Sequence, residues 1–396
     1  MGYRTSWRLA ATLVAMLVSG QANAAETSVP AAQDIDARIA KHMADGGLVG
    51  VGAAVIIDRQ VVWSKGYGHA DRQRGTPFTP DTVMNIASIS KTITGAAMMQ
   101  AVQAGKLSLD EDINTYLPFK VVNPHVPEAR ITLRHLATHT SGISDRWAVY
   151  QRQYHWGGDA PEALGEFLSG YLAPGGKDYA PDNFVPHRPG THREYSNIGA
   201  GLVGYIVECA VGEPFDAYTR RTIFAPLRMR STGWRLSDLP PGIQSTLYVG
   251  QGGFSVPIPP YGLTTFPDGG VRTSVADLSR FFIALLGNGQ LDGARILAPA
   301  SVAEMRRFQY TPGNIPENVI PAEKNSGLFW ATKFNGEFVG HSGSDPGVQT
   351  DMLANPAGDV AVVLFTNTSL DERDGRIHAA LFKDLWAHAQ ALDAAK

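Results

Sequence analysis

The sequence contains a single cysteine in 396 residues, so it cannot form an internal disulfide. Only 18% of the residues are charged, the formal net charge is −3 and no basic stripe is present, which argues against nucleic acid as a partner. The 11 histidines show no His-Glu-x-x-His or similar spacing, which argues against a zinc hydrolase. The chain also lacks internal repeats and long linkers, and its 44% hydrophobic content is ordinary for a soluble globular protein.

The N-terminus has the three parts of a secretory signal peptide. Arg4 and Arg8 supply positive charge, residues 9–18 are apolar but too few to span a bilayer, and Ala22-Asn23-Ala24 matches the small-x-small cleavage rule. We therefore expect residues 1–24 to be removed and the mature protein to be periplasmic or secreted, without a stable membrane anchor.

The most informative stretch surrounds Ser88. Residues from Asn85 to about Gly105 predict a helix that is apolar on every side and therefore buried. Ser88 and Lys91 are three positions apart, so both side chains lie on one face of that helix. Because a buried ammonium is costly, Lys91 must lose its proton or find a partner, and a serine beside it is a candidate nucleophile.

Two downstream segments could complete a site with this serine. Tyr195-Ser196-Asn197 precedes an apolar helix, where a tyrosine near an ammonium can serve as a general base and Asn197 can both donate and accept hydrogen bonds. Gly340-His341-Ser342-Gly343-Ser344 lies at the predicted end of a strand, and Gly343 would let a substrate backbone approach that edge. A strand-edge N–H beside the N–H of Ser88 would form an oxyanion hole.

The order of elements predicts an α+β fold in which an antiparallel sheet flanked by helices is built from both chain ends and a mostly helical region is inserted between them. We predict one catalytic domain over residues 25–396, with its α/β part at about 33–85 and 270–396 and its helical part at about 86–269. The expected strands and the last helix are a hairpin at 53–57 and 61–64, strands at 327–334, 337–341, 348–354 and 360–367, and a helix at about 373–391.

Together, Ser88-x-x-Lys91, Tyr195-x-Asn197 and His341-x-Gly343 resemble the ordered motifs of the penicillin-recognising serine hydrolases. That group comprises class C β-lactamases, D-alanyl-D-alanine carboxypeptidases, D-aminopeptidases and β-lactamase-like (family VIII) esterases. The resemblance covers about residues 33–390. It includes the flanking segments Thr79-Pro80-Asp81-Thr82, Leu107-Ser108-Leu109-Asp110, residues 133–142 and Gly269-Gly270.

The resemblance implies a role for each of these residues. Ser88 would be the acylated nucleophile, Lys91 and Tyr195 would share the proton transfers, and Asn197 would bind the substrate amide. The N–H groups of Ser88 and Ser344 would form the oxyanion hole. Neither a metal nor an organic cofactor is implied, and the partner would be a small-molecule or peptide substrate.

His341 departs from the pattern of typical β-lactamases, which have a lysine there that helps to bind the carboxylate of a β-lactam. A histidine with an ordinary pKa of about 6.5 is mostly neutral at neutral pH and attracts an anion less strongly. This departure argues against efficient β-lactam turnover, although not against acylation. Tyr-Ser-Asn with His-x-Gly is more similar to secreted D-Ala-D-Ala carboxypeptidases and D-amino-acid amidases.

Other functions have weaker support from the sequence. A Ser-His-Asp hydrolase would need a Gly-x-Ser-x-Gly elbow, and residues 340–344 fail that pattern at the last position. A family VIII esterase or a weak class C-like β-lactamase would use the same residues, as would a non-catalytic β-lactam-binding or sensor protein. The substrate class, the choice of Lys91 or Tyr195 as base and the oligomeric state stay open at this point.

Overall fold

The computed structural model describes residues 30–251, 254–369 and 375–396, with side chains from residue 35 onwards and none for residue 251. The predicted signal peptide at residues 1–24 lies outside the described residues. The strands are β1 Gly50–Ile57, β2 Gln60–Asp71, β3 Thr76–Pro77, β4 Met84–Asn85, β5 Tyr154–Trp156, β6 Leu247–Gln251, β7 Phe254–Ile258, β8 Tyr261–Leu263, β9 Arg272–Thr273, β10 Gln290–Leu291, β11 Ala294–Arg295, β12 Ala331–Lys333, β13 Phe338–Asp345, β14 Val348–Ala354, β15 Val360–Thr366 and β16 Thr368–Ser369.

The largest sheet has seven antiparallel strands in the order β12-β13-β14-β15-β1-β2-β3. At its centre, a strand from the N-terminal part of the chain lies beside one from the C-terminal part. There β1 pairs with β15, from Val51 opposite Thr366 to Ile57 opposite Val360. The predicted α+β architecture, an antiparallel sheet built from both chain ends with helices inserted between them, is confirmed.

The helices are α1 Pro30–Gly46, α2 Ser90–Gln103, α3 Leu133–Ala137, α4 Trp147–Tyr150, α5 Leu164–Leu172, α6 Asn197–Val211, α7 Phe215–Thr219, α8 Val275–Leu286, α9 Pro299–Arg306 and α10 Gly375–Ala394. No single helix in the described ranges is long and apolar enough to cross a membrane, although α6 and the segment Phe215–Phe224 together pass that test as a pair bent by 82°.

Both faces of the sheet are covered, which explains why β1 is buried along its whole length. Alternate side chains of a strand point to opposite faces. Val55 and Ile57 accordingly pack in the cluster that includes residues of α1 and α10, whereas Ala54 and Ile56 pack in the larger cluster formed with the inserted helices. The termini are thus held side by side on one face, and the inserted helices occupy the other.

Helix α2 lies at the centre of the larger cluster. Every residue from Ser90 to Ala101 is buried, as the apolar sequence predicts. The helix is shorter than predicted: Asn85 belongs to β4, which pairs with β9, and Ser88 lies in a 3-10 turn over Ala87–Ile89 before the α-helix begins at Ser90. The nucleophile candidate is therefore on the turn that leads into the helix.

The C-terminal strands differ from the predicted ones at their ends. The strand predicted at 327–334 is reduced to β12, and the strand predicted at 337–341 continues to Asp345, because its ladder with β14 runs to the pair Asp345–Val348. His341 and Gly343 therefore lie inside β13 and not at its end. Since β12 pairs only as far as Gly340, β13 forms the edge of the described sheet from His341 onwards.

Candidate active site

The turn that carries Ser88 has a constrained backbone. Ala87 has a φ of +48°, a conformation that costs a residue with a Cβ atom about 1–2 kcal/mol. Two hydrogen bonds hold it: the Ala87 N–H donates to Asn85 Oδ1 at 2.5 Å, and the Ile86 N–H donates to the carbonyl of Val271 at 3.0 Å. The surrounding structure therefore fixes the direction in which the partly exposed Ser88 points.

Lys91 is fully buried, and its ammonium has found partners, as the sequence required. Its Nζ donates to Ser88 Oγ at 3.1 Å, to Asn197 Oδ1 at 2.7 Å and to the carbonyl of Asp268 at 2.8 Å. Three acceptors match the three protons of an ammonium group. The cation is thereby aimed at the serine hydroxyl.

Tyr195 approaches the same hydroxyl from a second direction. Its O–H lies 2.9 Å from Ser88 Oγ, and its ring lies 5.0 Å from Lys91 Nζ. Behind it, His139 stacks at 4.2 Å between ring centroids and accepts the Ser196 N–H at Nδ1. Burial holds the pKa of His139 well below its usual value, so this imidazole is neutral and able to accept that bond.

Asn197 begins helix α6, and the start of that helix is held by a residue that the sequence analysis missed. Asp145 accepts the N–H groups of Asn197 at 2.7 Å and Ile198 at 3.0 Å, and also the hydroxyl of Ser196 at 2.8 Å. An anion at a helix N-terminus is favourable, although desolvation raises the pKa of Asp145 overall. Asp145 and Asn197 are 52 positions apart, so no local sequence pattern indicates that Asp145 holds the start of this helix.

Gly343 has a packing role that the sequence did not indicate. A Cβ at this position would meet the carbonyl oxygen of Ile86 at 2.2 Å and Thr350 Oγ1 at 2.5 Å. Thr350 in turn donates a hydrogen bond from Oγ1 to the Ile86 carbonyl at 3.0 Å. The missing side chain admits the turn before Ser88, which packs directly on β13. Gly343 also lines the cavity, and the approach of a substrate backbone there stays a prediction.

His341 is buried and uncharged. Its Nδ1 lies 2.7 Å from the carbonyl oxygen of Ser342, and because a carbonyl only accepts, Nδ1 carries the proton. Burial, and next the charge of Lys333, hold the pKa of His341 well below its ordinary value. The imidazole of His341 itself therefore adds no positive charge to the site.

The predicted residues converge on one cavity of about 690 Å³. Ser88, Tyr195, His341, Gly343 and Ser344 line it. Lys91 is hydrogen-bonded to Ser88, and Asn197 is hydrogen-bonded to Lys91; neither of the two lines the cavity. The edge of β13 that carries Ser344 thus faces the same space as the Ser88 turn, which is the arrangement that two oxyanion-binding N–H groups require.

A second acidic residue that the sequence analysis missed lies below the serine. The carboxyl of Asp268 is fully buried and receives the hydroxyl of Tyr150 at 3.2–3.3 Å, while its main-chain carbonyl accepts from Lys91. Burial raises the pKa of Asp268 to about 7, although Lys91 acts in the opposite direction. The Gly269-Gly270 pair that follows was recognised in the sequence as part of the family resemblance, but the carboxyl of Asp268 beside it was not.

The raised pKa of Asp268 predicts how stability depends on pH. Between the unfolded and folded pKa values the folded state holds more protons, so the free energy of unfolding falls as the pH rises through that window. From about pH 4 to pH 7 the free energy of unfolding of wild type should fall by on the order of 4 kcal/mol more than that of Asp268→Asn. Urea unfolding across this range measures the difference, with the exposed Asp393→Asn as control. If the free energy of unfolding changed equally with pH in wild type and in Asp268→Asn, the raised pKa of Asp268 would be contradicted.

Comparison with known proteins identifies a family that agrees with the resemblance of the sequence motifs. A sequence model of the beta-lactamase family matches residues 35–384. Protein flp of Staphylococcus aureus (strain N315) is 24% identical over 345 residues, which are 85% of this chain and 63% of that protein, so the chain spans less than two thirds of this relative.

Two solved structures are similar in fold. The D-amino acid amidase of Ochrobactrum anthropi SV3, complexed with L-phenylalanine amide, aligns with a TM-score of 0.71 and 22% identity over 92% of this chain and 98% of its own. The D-alanine carboxypeptidase AmpC of Burkholderia cenocepacia aligns with a TM-score of 0.66 and 21% identity over 90% and 98%. At these identities the likeness concerns the fold.

Proposed function

The chain belongs to the beta-lactamase family, whose members include serine hydrolases, and we propose that it is an exported enzyme acting through an acyl-enzyme at Ser88 on amide, peptide or ester bonds. One observation carries the proposal: Ser88 Oγ lies within hydrogen-bond distance of both Lys91 Nζ and Tyr195 Oη. A serine hydroxyl in contact with an amine and a phenol is activated as a nucleophile when one of the two is deprotonated and can accept its proton.

Acylation follows from these contacts. Ser88 Oγ attacks the substrate carbonyl, and its proton passes to whichever of Lys91 Nζ and Tyr195 Oη has given up its own proton, so that the free amine or the phenolate is the base. The N–H groups of Ser88 and Ser344 bind the oxyanion of the tetrahedral intermediate. When that intermediate collapses, the leaving group receives the proton and departs, and Ser88 is left as an ester.

Deacylation uses the same groups in reverse. A water molecule gives its proton to the base as its oxygen attacks the acyl-enzyme, and the proton then returns to Ser88 Oγ as the acid product leaves. Asn197 Oδ1 lies 2.7 Å from Lys91 Nζ, so the nitrogen keeps its direction through both half-reactions.

Among possible substrates, we favour those of a D-Ala-D-Ala carboxypeptidase or a D-aminopeptidase-like enzyme over a β-lactam. The neutral His341 supports this choice, because it replaces the lysine expected of an efficient β-lactamase with a group that attracts carboxylate weakly. A family VIII-type esterase uses the same Ser88 chemistry and is the second candidate.

Intact-mass measurement with benzylpenicillin tests the proposal. We expect wild type to gain one covalent equivalent that persists, and Ser88→Ala to gain none. Penicilloate accumulating without a lasting adduct would mean a β-lactamase. Ester or peptide hydrolysis that survives Ser88→Ala would refute the acyl-enzyme. The mass of protein recovered after export also tests cleavage following Ala24.

A further inference from the structure

A tight turn brings two histidines together. Residues 188–191, Arg-Pro-Gly-Thr, form a β-turn in which the last N–H donates to the first carbonyl at 3.1 Å, and Gly190 has a φ of +89°. Proline in the second position and glycine with a positive φ in the third are typical of a type II turn. His187 and His192 flank this turn, and their rings stack with centroids 4.0 Å apart and planes inclined by 10°.

A carboxylate from a distant part of the chain faces both rings. Nδ1 of His187 lies 2.8 Å and Nδ1 of His192 lies 3.0 Å from the same oxygen, Oε1 of Glu317. Each residue offers one potential ligand atom, and these three atoms lie within 4.8 Å of one another. We refer to the three residues as the His-His-Glu cluster. The exposed fractions of their side chains are 34%, 22% and 57%, so an ion from solvent can reach them.

Main-chain groups hold the two parts of the cluster together. The Glu317 N–H donates to the carbonyl of Thr191 at 2.8 Å. The side chain of Asn318 accepts the Arg193 N–H at 2.9 Å and donates to the Arg193 carbonyl at 2.9 Å. Three hydrogen bonds thus join the segment after the turn to residues 317–318. The ligand residues are therefore placed side by side before any ion binds, which lowers the entropic cost of binding.

The chemistry of the cluster matches zinc. Two imidazoles and one carboxylate are ligands that Zn²⁺ accepts, whereas Mg²⁺ and Ca²⁺ prefer oxygen ligands alone. Zinc bonds of about 2.0–2.2 Å place neighbouring ligand atoms of a tetrahedron about 3.3–3.6 Å apart. The contacts of 2.8 and 3.0 Å therefore need to widen only slightly. Because an ionised carboxylate only accepts hydrogen bonds, each Nδ1 carries a proton, and the ion would take the place of both protons.

Binding would require two local adjustments. The lone pairs of parallel rings do not converge, so the imidazoles must turn about χ2, a torsion with broad minima. A metal on Nδ1 leaves the proton of His192 on Nε2, so the 3.2 Å contact between Nε2 and the amide nitrogen of Asn318 would pass to water. Both changes involve side chains that solvent reaches, and they leave intact the three hydrogen bonds that join the segments.

The cluster is separate from the reacting groups. None of its three residues lines the Ser88 cavity, so an ion held by them would not contact the substrate. His192 nevertheless precedes Tyr195 by only three positions. An ion bound by the cluster would therefore brace the segment that leads to Tyr195 without taking part in the reaction.

We propose that the His-His-Glu cluster is a structural Zn²⁺ site, with water as the fourth ligand, that fastens residues 187–193 to residues 317–318. The site does not depend on the acyl-enzyme function proposed above. The lack of zinc-hydrolase spacing among the 11 histidines agrees with a structural role for the ion.

Zinc titration tests the site directly. Protein purified without an affinity tag is freed of metal with EDTA, separated from the chelator and titrated with ZnCl₂ by calorimetry. We expect wild type to bind one equivalent. His192→Gln and Glu317→Gln should each lower the affinity about 100-fold, because even a residue behind a metal ligand contributes about 10- to 100-fold. His69→Gln, which replaces an exposed histidine of β2 outside the cluster, should bind zinc as wild type does.

Thermal unfolding provides a second readout. With free zinc at about 100 times Kd, the Tm of wild type should rise by about 3 °C, and that of His192→Gln by less than about 1 °C. Glu317→Gln alters an exposed side chain, so its Tm without zinc should stay close to that of wild type, which separates a lost ligand from lost folding. Failure of wild type to bind one equivalent, or the same affinity in both cluster variants as in His69→Gln, would overturn the site. Neither measurement involves Ser88, so the acyl-enzyme would stand in either case.

Discussion

Replacing Lys91 by methionine is expected to lower kcat for an ester substrate by about 10³- to 10⁴-fold, as the loss of a positioned proton-transfer group does at its largest. Methionine fills a similar volume but donates no hydrogen bond. Ser88 Oγ would keep only Tyr195, and Asn197 Oδ1 and the carbonyl of Asp268 would lose the donor that orients them. The effect should fall on kcat more than on KM, because Lys91 does not line the cavity.

Lys91→Arg is the informative companion to this variant. It retains the positive charge but spreads it over a planar group that cannot direct three protons to three acceptors around a single nitrogen. We expect it to be nearly as inactive as Lys91→Met. Steady-state kinetics and thermal unfolding of both proteins distinguish lost chemistry from lost folding. A Lys91→Met enzyme that retained a tenth of the wild-type kcat would show that Tyr195 suffices as the base.

Replacing Gly343 by alanine is expected to damage both stability and catalysis. The new Cβ would lie 2.2 Å from the carbonyl oxygen of Ile86, so either β13 or the turn before Ser88 must move. Overpacking of this kind costs about 1–3 kcal/mol. Displacing that turn would also move Ser88 Oγ away from Lys91 and Tyr195. A misplacement of about 1 Å can lower the rate about 100-fold.

A second glycine provides the control for this variant. A Cβ at Gly158 would meet no atom within 4 Å, and the φ of Gly158 is not in the left-handed region. Gly158→Ala should therefore leave kcat and the midpoint of urea unfolding close to those of wild type. If Gly343→Ala were as stable and as active as Gly158→Ala, the close packing of the Ser88 turn on β13 would be wrong.

The placement of residues within each motif could be predicted because it is encoded locally. The contacts between motifs span 106 and 107 positions and were expected only from the family resemblance. Ser88 and Lys91 are three positions apart, and Tyr195 and Asn197 flank the start of a helix, so a few residues determine their relative placement. The apolar run after Ser88 likewise predicted the buried helix α2, since burial on all sides leaves a continuous apolar pattern.

What the sequence could not reveal depends on long-range contacts. Asp145 and Asp268 acquire their roles only when α6, the Ser88 turn and the segment before Gly269 come together. The packing of Gly343 against the turn before Ser88 was not foreseen, because the pleat of β13 and the position of Ile86 are properties of the folded sheet.

The pairing of the two chain ends in the large sheet has a consequence for the timing of activity. Ser88 is synthesised early, whereas Ser344 and the strands β14 and β15 that attach β13 to β1 come near the end. Ribosomes add about 5–20 residues per second, so Ser88 is present for roughly 10–50 s before Ser344 is synthesised. Until β13 pairs with β14 and, through β15, with β1, Ser88 has no Ser344 beside it, so the candidate site assembles only when the last strands join the sheet.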